Sequence, residues 1–159
     1  MHAAPVCRRA VAVLATPVLS TALWAGDAWI GTWKLNHAKS DAYAKIPKSQ
    51  ILTFAAQGNA LKTTEHITNA EGVAYSVHWT ASYDGKDYPV TGSRAGAELV
   101  WVRRVDAQTF EGAVKKKDGT VVGIYKVVVS PDGKFLTMYS QPGPPAPDKP
   151  PRVRFFDRQ

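Results

Sequence analysis

A chain of 159 residues with a single cysteine is long enough to bury one full core and cannot be a disulfide-stapled scaffold. Its formal charge of +7 is mild for that length, and only Lys115, Lys116 and Lys117 cluster. A nucleic-acid partner would call for a broader basic face interleaved with stacking aromatics, so none is expected.

The first 25 residues differ from the rest. Arg8 and Arg9 precede an uncharged run from Ala10 to Trp24, followed by the small residues Ala25 and Gly26. Basic, apolar, then small is the order of a secretory signal peptide. The expectation is therefore an exported chain, periplasmic or secreted, with a signal peptide over 1–25 and one domain over 26–159. Cleavage after Ala28 fits nearly as well as cleavage after Ala25. No later segment approaches the roughly 20 apolar residues of a spanning helix, so no membrane span is expected. Cys7 would leave with the signal peptide, and what remains must be held together by its core and sheet ladders.

From Ile30 onward, apolar and polar residues alternate with period two, and turn residues interrupt the alternation every eight to twelve positions. This predicts strands near 30–36, 50–56, 60–68, 73–83, 87–91, 98–105, 109–117, 120–130, 134–140 and 152–157. No amphipathic helix stands out; 37–48 could hold a short turn of one, limited by Pro47. The proline-rich stretch 141–151 reads as an extended loop before the last strand. The fold class expected is all-β, a single antiparallel up-and-down barrel of about eight to ten strands.

Turn chemistry suggests which residues face inward. A three-residue loop at Ala70-Glu71-Gly72 sets Ile67, Glu65 and Thr63 opposite Tyr75, Val77 and Trp79. A four-residue loop over 106–109 pairs Val105 with Phe110 and turns Leu99, Trp101 and Arg103 inward. Asp118-Gly119 suits a two-residue type I′ hairpin, which sets Glu111 opposite Lys126 and Gly112 opposite Tyr125. A turn over Ser130 to Lys134 with Gly133 in the left-handed position then sets Tyr125 opposite Tyr139. One slip of register would invert a face.

The stretch Gly31-Thr32-Trp33-Lys34-Leu35-Asn36 carries the Gly-x-Trp opening of the lipocalin and fatty-acid-binding superfamily. Together with Lys39-Ser40, the run from Tyr83 to Gly92 (YDGKDYPVTG) and the run from Val129 to Lys134 (VSPDGK), it resembles a group of small exported bacterial proteins, lipocalin-like in character and without an assigned activity. The resemblance implies that Trp33 plugs one end of a barrel and that an arginine of the last strand, Arg152, Arg154 or Arg158, packs on it. The lipocalin Thr-Asp-Tyr element is missing, and 37–48 looks too short for the helical lid of fatty-acid-binding proteins. Neither subfamily's ligand therefore carries over.

These registers place Arg103, Gly112, Tyr125 and Tyr139 side by side across four strands, with Trp101 one inward step away. A guanidinium beside a glycine, two phenols and aromatic walls is the make-up of a pocket for a small hydrophobic or amphipathic anion. Trp79 and Tyr75 are further candidates to line it. The competing structural account pairs Arg103 with inward Glu65 and has Gly112 make room for the ring of Tyr125. His66 and His78 share the outer face of one hairpin without a third ligand, so no metal is expected. Nothing in the sequence matches a phosphate loop, His-Glu-x-x-His, Gly-x-Ser-x-Gly or Cys-x-x-Cys, and neither a cofactor nor an enzymatic activity is expected. The alternative function is an envelope-associated structural, interaction or inhibitor protein with a filled barrel, whose contacts would be Lys115 to Lys117 and the 141–151 loop.

Overall fold

The computed structural model describes residues 26–40, 46–93, 96–144, 146 and 148–159. The expected signal peptide lies outside the described residues, as does the centre of the 37–48 segment. Ten strands form: β1 (Gly31–Asn36), β2 (Ser49–Gln57), β3 (Ala60–Thr68), β4 (Ala74–Ser82), β5 (Tyr88–Thr91), β6 (Leu99–Arg104), β7 (Thr109–Lys115), β8 (Val121–Val129), β9 (Phe135–Pro142) and β10 (Arg152–Arg158). Each pairs antiparallel with its chain neighbours, and β1 closes on β10 to complete an up-and-down barrel. Among the described residues there is no helix. Closure removes sheet edges, which suits a chain that cannot fall back on disulfides.

One end of the barrel is filled. Trp33, Leu52, Phe54, Leu61, Val102, Phe110, Leu136 and Phe156 are buried there together with Trp29, from the segment before β1. The Trp33 indole donates to the carbonyl of Trp29 at 2.8 Å. Above Trp33, 4.2 Å from its ring, lies the guanidinium of Arg158. That group also donates to the carbonyls of Ala28 at 2.6 Å, Ile30 at 2.9 Å and Gly133 at 2.6 Å. Of the three last-strand arginines, Arg158 is thus the one that packs on the tryptophan. Gly31 explains the first residue of Gly-x-Trp: its φ is +139°, and a Cβ there would stand 2.7 Å from the Arg158 Nη1. Beside this plug, Arg104 bonds Asp27 at 2.6 Å, and Tyr83 accepts from the Trp29 indole at 2.8 Å while donating to Asp27 at 3.2 Å. Burial is the main cause that raises the Tyr83 hydroxyl pKa to about 12, so it remains a donor at neutral pH.

Two of the four inferred registers hold and two slip by one residue. In β3–β4, Glu65 pairs with Val77 and Thr63 with Trp79, as the three-residue turn requires. In β7–β8, Glu111 pairs with Lys126 and Gly112 with Tyr125. The turn itself is not the expected two-residue hairpin: Lys116 and Thr120 flank a three-residue loop, and a bulge between Val114 and Lys115 restores the register.

The β6–β7 loop closes one residue early. Val105 bonds Thr109, because the Asp106 carboxylate accepts the Gln108 amide at 2.8 Å and tightens the turn. Trp101 therefore pairs with Ala113 and Arg103 with Glu111, which turns Leu99, Trp101 and Arg103 outward and brings Val100 and Val102 in. The β8–β9 loop closes one residue late. Ser130 bonds Phe135 through its backbone, and its hydroxyl accepts the Phe135 amide at 3.0 Å. Tyr125 then lies opposite Ser140, and Tyr139, opposite Lys126, faces out.

Candidate functional site

Above the filled end, the inward residues become mixed and leave a cavity of about 380 Å³. It lies toward the end bounded by the β3–β4 and β7–β8 turns. Its apolar lining includes Trp79, Val90, Phe110 and Met138; its polar lining includes Gln50, Glu65, Ser140, Arg152 and Arg154. The alternation of each strand puts these side chains inside: Arg154 stands two positions above buried Phe156 on β10, and Gln50 two above buried Leu52 on β2.

Arg154 is the unusual member. Its Nη1 donates to the Gln50 side-chain Oε1 at 3.4 Å, and its Nε–H is buried without a partner among the described residues. Among the described residues it forms no ion pair. Burial lowers its pKa, the nearby charge of Glu65 opposes that change, and neighbouring Arg152 adds to it. The Gln50 amide nitrogen donates to Glu65 at 3.1 Å, so one neutral side chain bridges the acid and the base. Burial pushes the Glu65 carboxyl above its ordinary range, while the Gln50 hydrogen bond and the charge of Arg154 pull it back. Across the lumen the Tyr125 hydroxyl is buried with no partner among the described residues, and burial followed by the charge of Glu65 raises its pKa. Thr63, one inward step below Glu65, carries another unpartnered hydroxyl.

Of the six residues expected to line a pocket, Tyr125, Trp79 and Tyr75 do face this cavity. Arg103, Trp101 and Tyr139 do not. The Arg103 side chain is 66% exposed and ion-paired with Glu111 across the outer face, so the pairing with Glu65 is also corrected. Trp101 and Tyr139 line a separate cleft of about 440 Å³ on the outside of the sheet, with Ile124, Lys126 and Pro151. The single-residue changes in two loops account for all three. Gly112 has the structural role: a Cβ there would lie 2.6 Å from the Tyr125 hydroxyl and would strike the Trp101 carbonyl oxygen.

Arg154, Arg152 and Gln50 were not recognised as lining residues from the sequence. Alternation in β10 is uninformative because Arg154 and Phe156 share one face while Val153 and Phe155 share the other. Gln50 carries no charge and belongs to no motif. On the outer wall, His66 and His78 stand edge to face with ring centroids 6.4 Å apart, and their Nδ1 atoms bond Ser76 and Thr64. Among the described residues no three potential ligands gather for a metal.

Fold and site together define a closed ten-stranded antiparallel barrel with a plugged end and a cavity that contains a guanidinium without an ion pair among the described residues. No protein-family model matches the chain, and no curated protein matches it.

Proposed function

We propose that this chain is an exported, lipocalin-like barrel that holds one small amphipathic or hydrophobic anion in its lumen, acting as a binder and not as an enzyme. The head group lies against Arg154, with Arg152 drawing it in at the mouth, and the apolar body lies against Trp79, Val90, Phe110 and Met138. One observation carries the reading: the partly buried Arg154 side chain lines the lumen with its Nε–H out of water and unpartnered, and among the described residues no carboxylate stands at ion-pair distance from it. Removing an ion from water costs several kcal/mol unless a partner compensates. An anionic ligand supplies that partner, and a cavity with apolar walls and a few convergent polar groups suits it.

The test offers the purified protein a mixture of fatty and aromatic acids and identifies what co-elutes by native mass spectrometry. One acid per chain is expected, displaced stoichiometrically by a second anionic amphiphile. A protein that emerges with no adduct at any acid concentration below the onset of micelles would refute the reading. In that case the outer cleft with Trp101, Ile124, Tyr139 and Pro151 favours the second reading, an envelope-associated interaction protein working through its surface.

Export is read at the mature N-terminus. Asp27 anchors Arg104, and the Ala28 carbonyl accepts from Arg158. Cleavage after Ala25 keeps both, whereas cleavage after Ala28 removes both. Intact-mass analysis of the exported protein is expected to show Gly26 as the first residue. A start at Trp29, with undiminished thermal stability, would contradict the role given to Asp27.

A further inference from the structure

We propose that the lumen takes up its anion together with a proton, the anion at Arg154 and the proton at Glu65. This rests on the reading of the lumen as an anion site and adds a second ligand to it. The geometry supplies the coupling. Glu65 and Arg154 line the same cavity and are joined through the two ends of the Gln50 amide, at 3.1 Å and 3.4 Å. Among the described residues Glu65 forms no ion pair of its own. Its hydrogen bond from Gln50 and the field of Arg154 are what favour its charged form.

An anion placed on Arg154 spends that field. Arg152 is exposed at the mouth and Arg154 is the cation whose field acts on Glu65, so two negative groups would then share that one guanidinium in a partly buried site, where like charges drive one of them to hold a proton. The incoming anion is held by the arginine, so the proton settles on Glu65. Protonation also gives Glu65 an O–H to donate, and the ligand's own oxygen is one acceptor within the cavity.

The groups facing Glu65 narrow the assignment. Gln50 from β2 is neutral. Arg154 from β10 carries a guanidinium, a group that does not give up its proton in proteins, and exposed Arg152 lines the cavity two positions away on the same strand. Burial raises the pKa of Tyr125 from β8, which keeps its phenol neutral. Tyr75 from β4 is a phenol that lines the same cavity. The two histidines nearest in sequence and space, His66 and His78, belong to the exposed outer face of β3 and β4.

The direction follows from linkage. If binding raises the pKa of Glu65, affinity is highest while Glu65 is protonated in the free protein. It then falls about tenfold per pH unit between the free and the bound pKa values, and levels off above both. The probe is anilinonaphthalene sulfonate, an amphipathic anion whose own charge does not titrate over about pH 5 to 9. Fluorescence titration of the whole protein is expected to show affinity falling by about tenfold or more across that range. Glu65→Gln should hold the high affinity with a flat profile. Calorimetry on the unmodified protein, in two buffers of different ionisation enthalpy, should count up to one proton taken up per probe within the sloping region. That measurement needs no variant to fold.

Each other result overturns something definite. A probe that binds with the same affinity at every pH, without proton uptake, refutes the coupling and leaves the anion site standing. A slope that persists in folded Glu65→Gln puts the proton elsewhere and refutes the assignment. No binding at any pH refutes the anion site itself, and the coupling with it.

Discussion

Trp33→Ala is expected to lower the free energy of unfolding by about 3–5 kcal/mol, the usual cost of truncating a fully buried tryptophan. For a domain of this size that corresponds to a melting temperature lower by roughly 10–20 °C. The loss has three sources. The indole is completely buried, its N–H is bonded to Trp29, and its face carries the Arg158 guanidinium at 4.2 Å. The cavity left behind would sit under a cation held by three backbone carbonyls, a fixed ceiling that has little freedom to collapse. Because Trp33 and Arg158 touch, their effects should not add: a cycle with Arg158→Ala is expected to return a coupling of about 0.5–3 kcal/mol. A Trp33→Ala protein melting within a few degrees of the parent would mean that the plug is not what holds this end closed.

How far the sequence could be read follows from which features are local. Strand positions were legible almost throughout, because segments such as Ser49–Gln57 and Ala60–Thr68 mix apolar, β-branched and polar residues with a period near two, and the turn between them is built from Gly and Asn. The β3–β4 register was legible as well, since Ala70-Glu71-Gly72 leaves little choice of loop length. The registers at Asp106 and Ser130 were not. In both loops a side-chain oxygen captures a backbone amide and fixes the count, at 2.8 Å from Asp106 to Gln108 and at 3.0 Å from Ser130 to Phe135. Turn composition does not distinguish a three-residue from a four-residue closure there. The consequence is large because the period is two: Arg103 and Tyr139 moved from the lumen to the outer face.

The chemical character expected of the site survived while its residues changed. A guanidinium, a phenol and aromatic walls do converge in the lumen, but the guanidinium belongs to the last strand. Arg154 was visible only as one of three arginines available to pack on Trp33. Choosing among them needs the length of β10 and its register with β1, in which Trp33 pairs with Arg158 and Leu35 with Phe156. That information is non-local, and local alternation cannot supply it when both faces of a strand carry aromatic rings.

The substitution that separates stability from binding is Arg154→Met, which keeps the length and much of the volume of the side chain while removing its charge. Affinity for an anionic amphiphile should fall about 10- to 100-fold, since a hydrogen bond to a charged group contributes about 1.5–3 kcal/mol. Stability should not fall with it. The parent protein holds this partly buried guanidinium in the lumen with one long bond to Gln50 and an unpartnered Nε–H, and replacing a poorly satisfied charge by an apolar group of similar volume returns its desolvation cost. Glu65 sets the pH dependence of that outcome. Without Arg154 its pKa, already raised by burial, rises further, so the folded state binds the proton more tightly than the unfolded chain does. The variant's advantage is therefore greatest in acid, where Glu65 is protonated in both states, and is lost as pH rises through the folded pKa. Arg103→Met provides the contrast, for its exposed pair with Glu111 should contribute no more than about 1 kcal/mol and leave affinity unchanged. Thermal melts and probe titrations of the two variants side by side decide the matter. If Arg154→Met melts well below the parent while binding as tightly, the lumen arginine is a structural strut and not a ligand's partner.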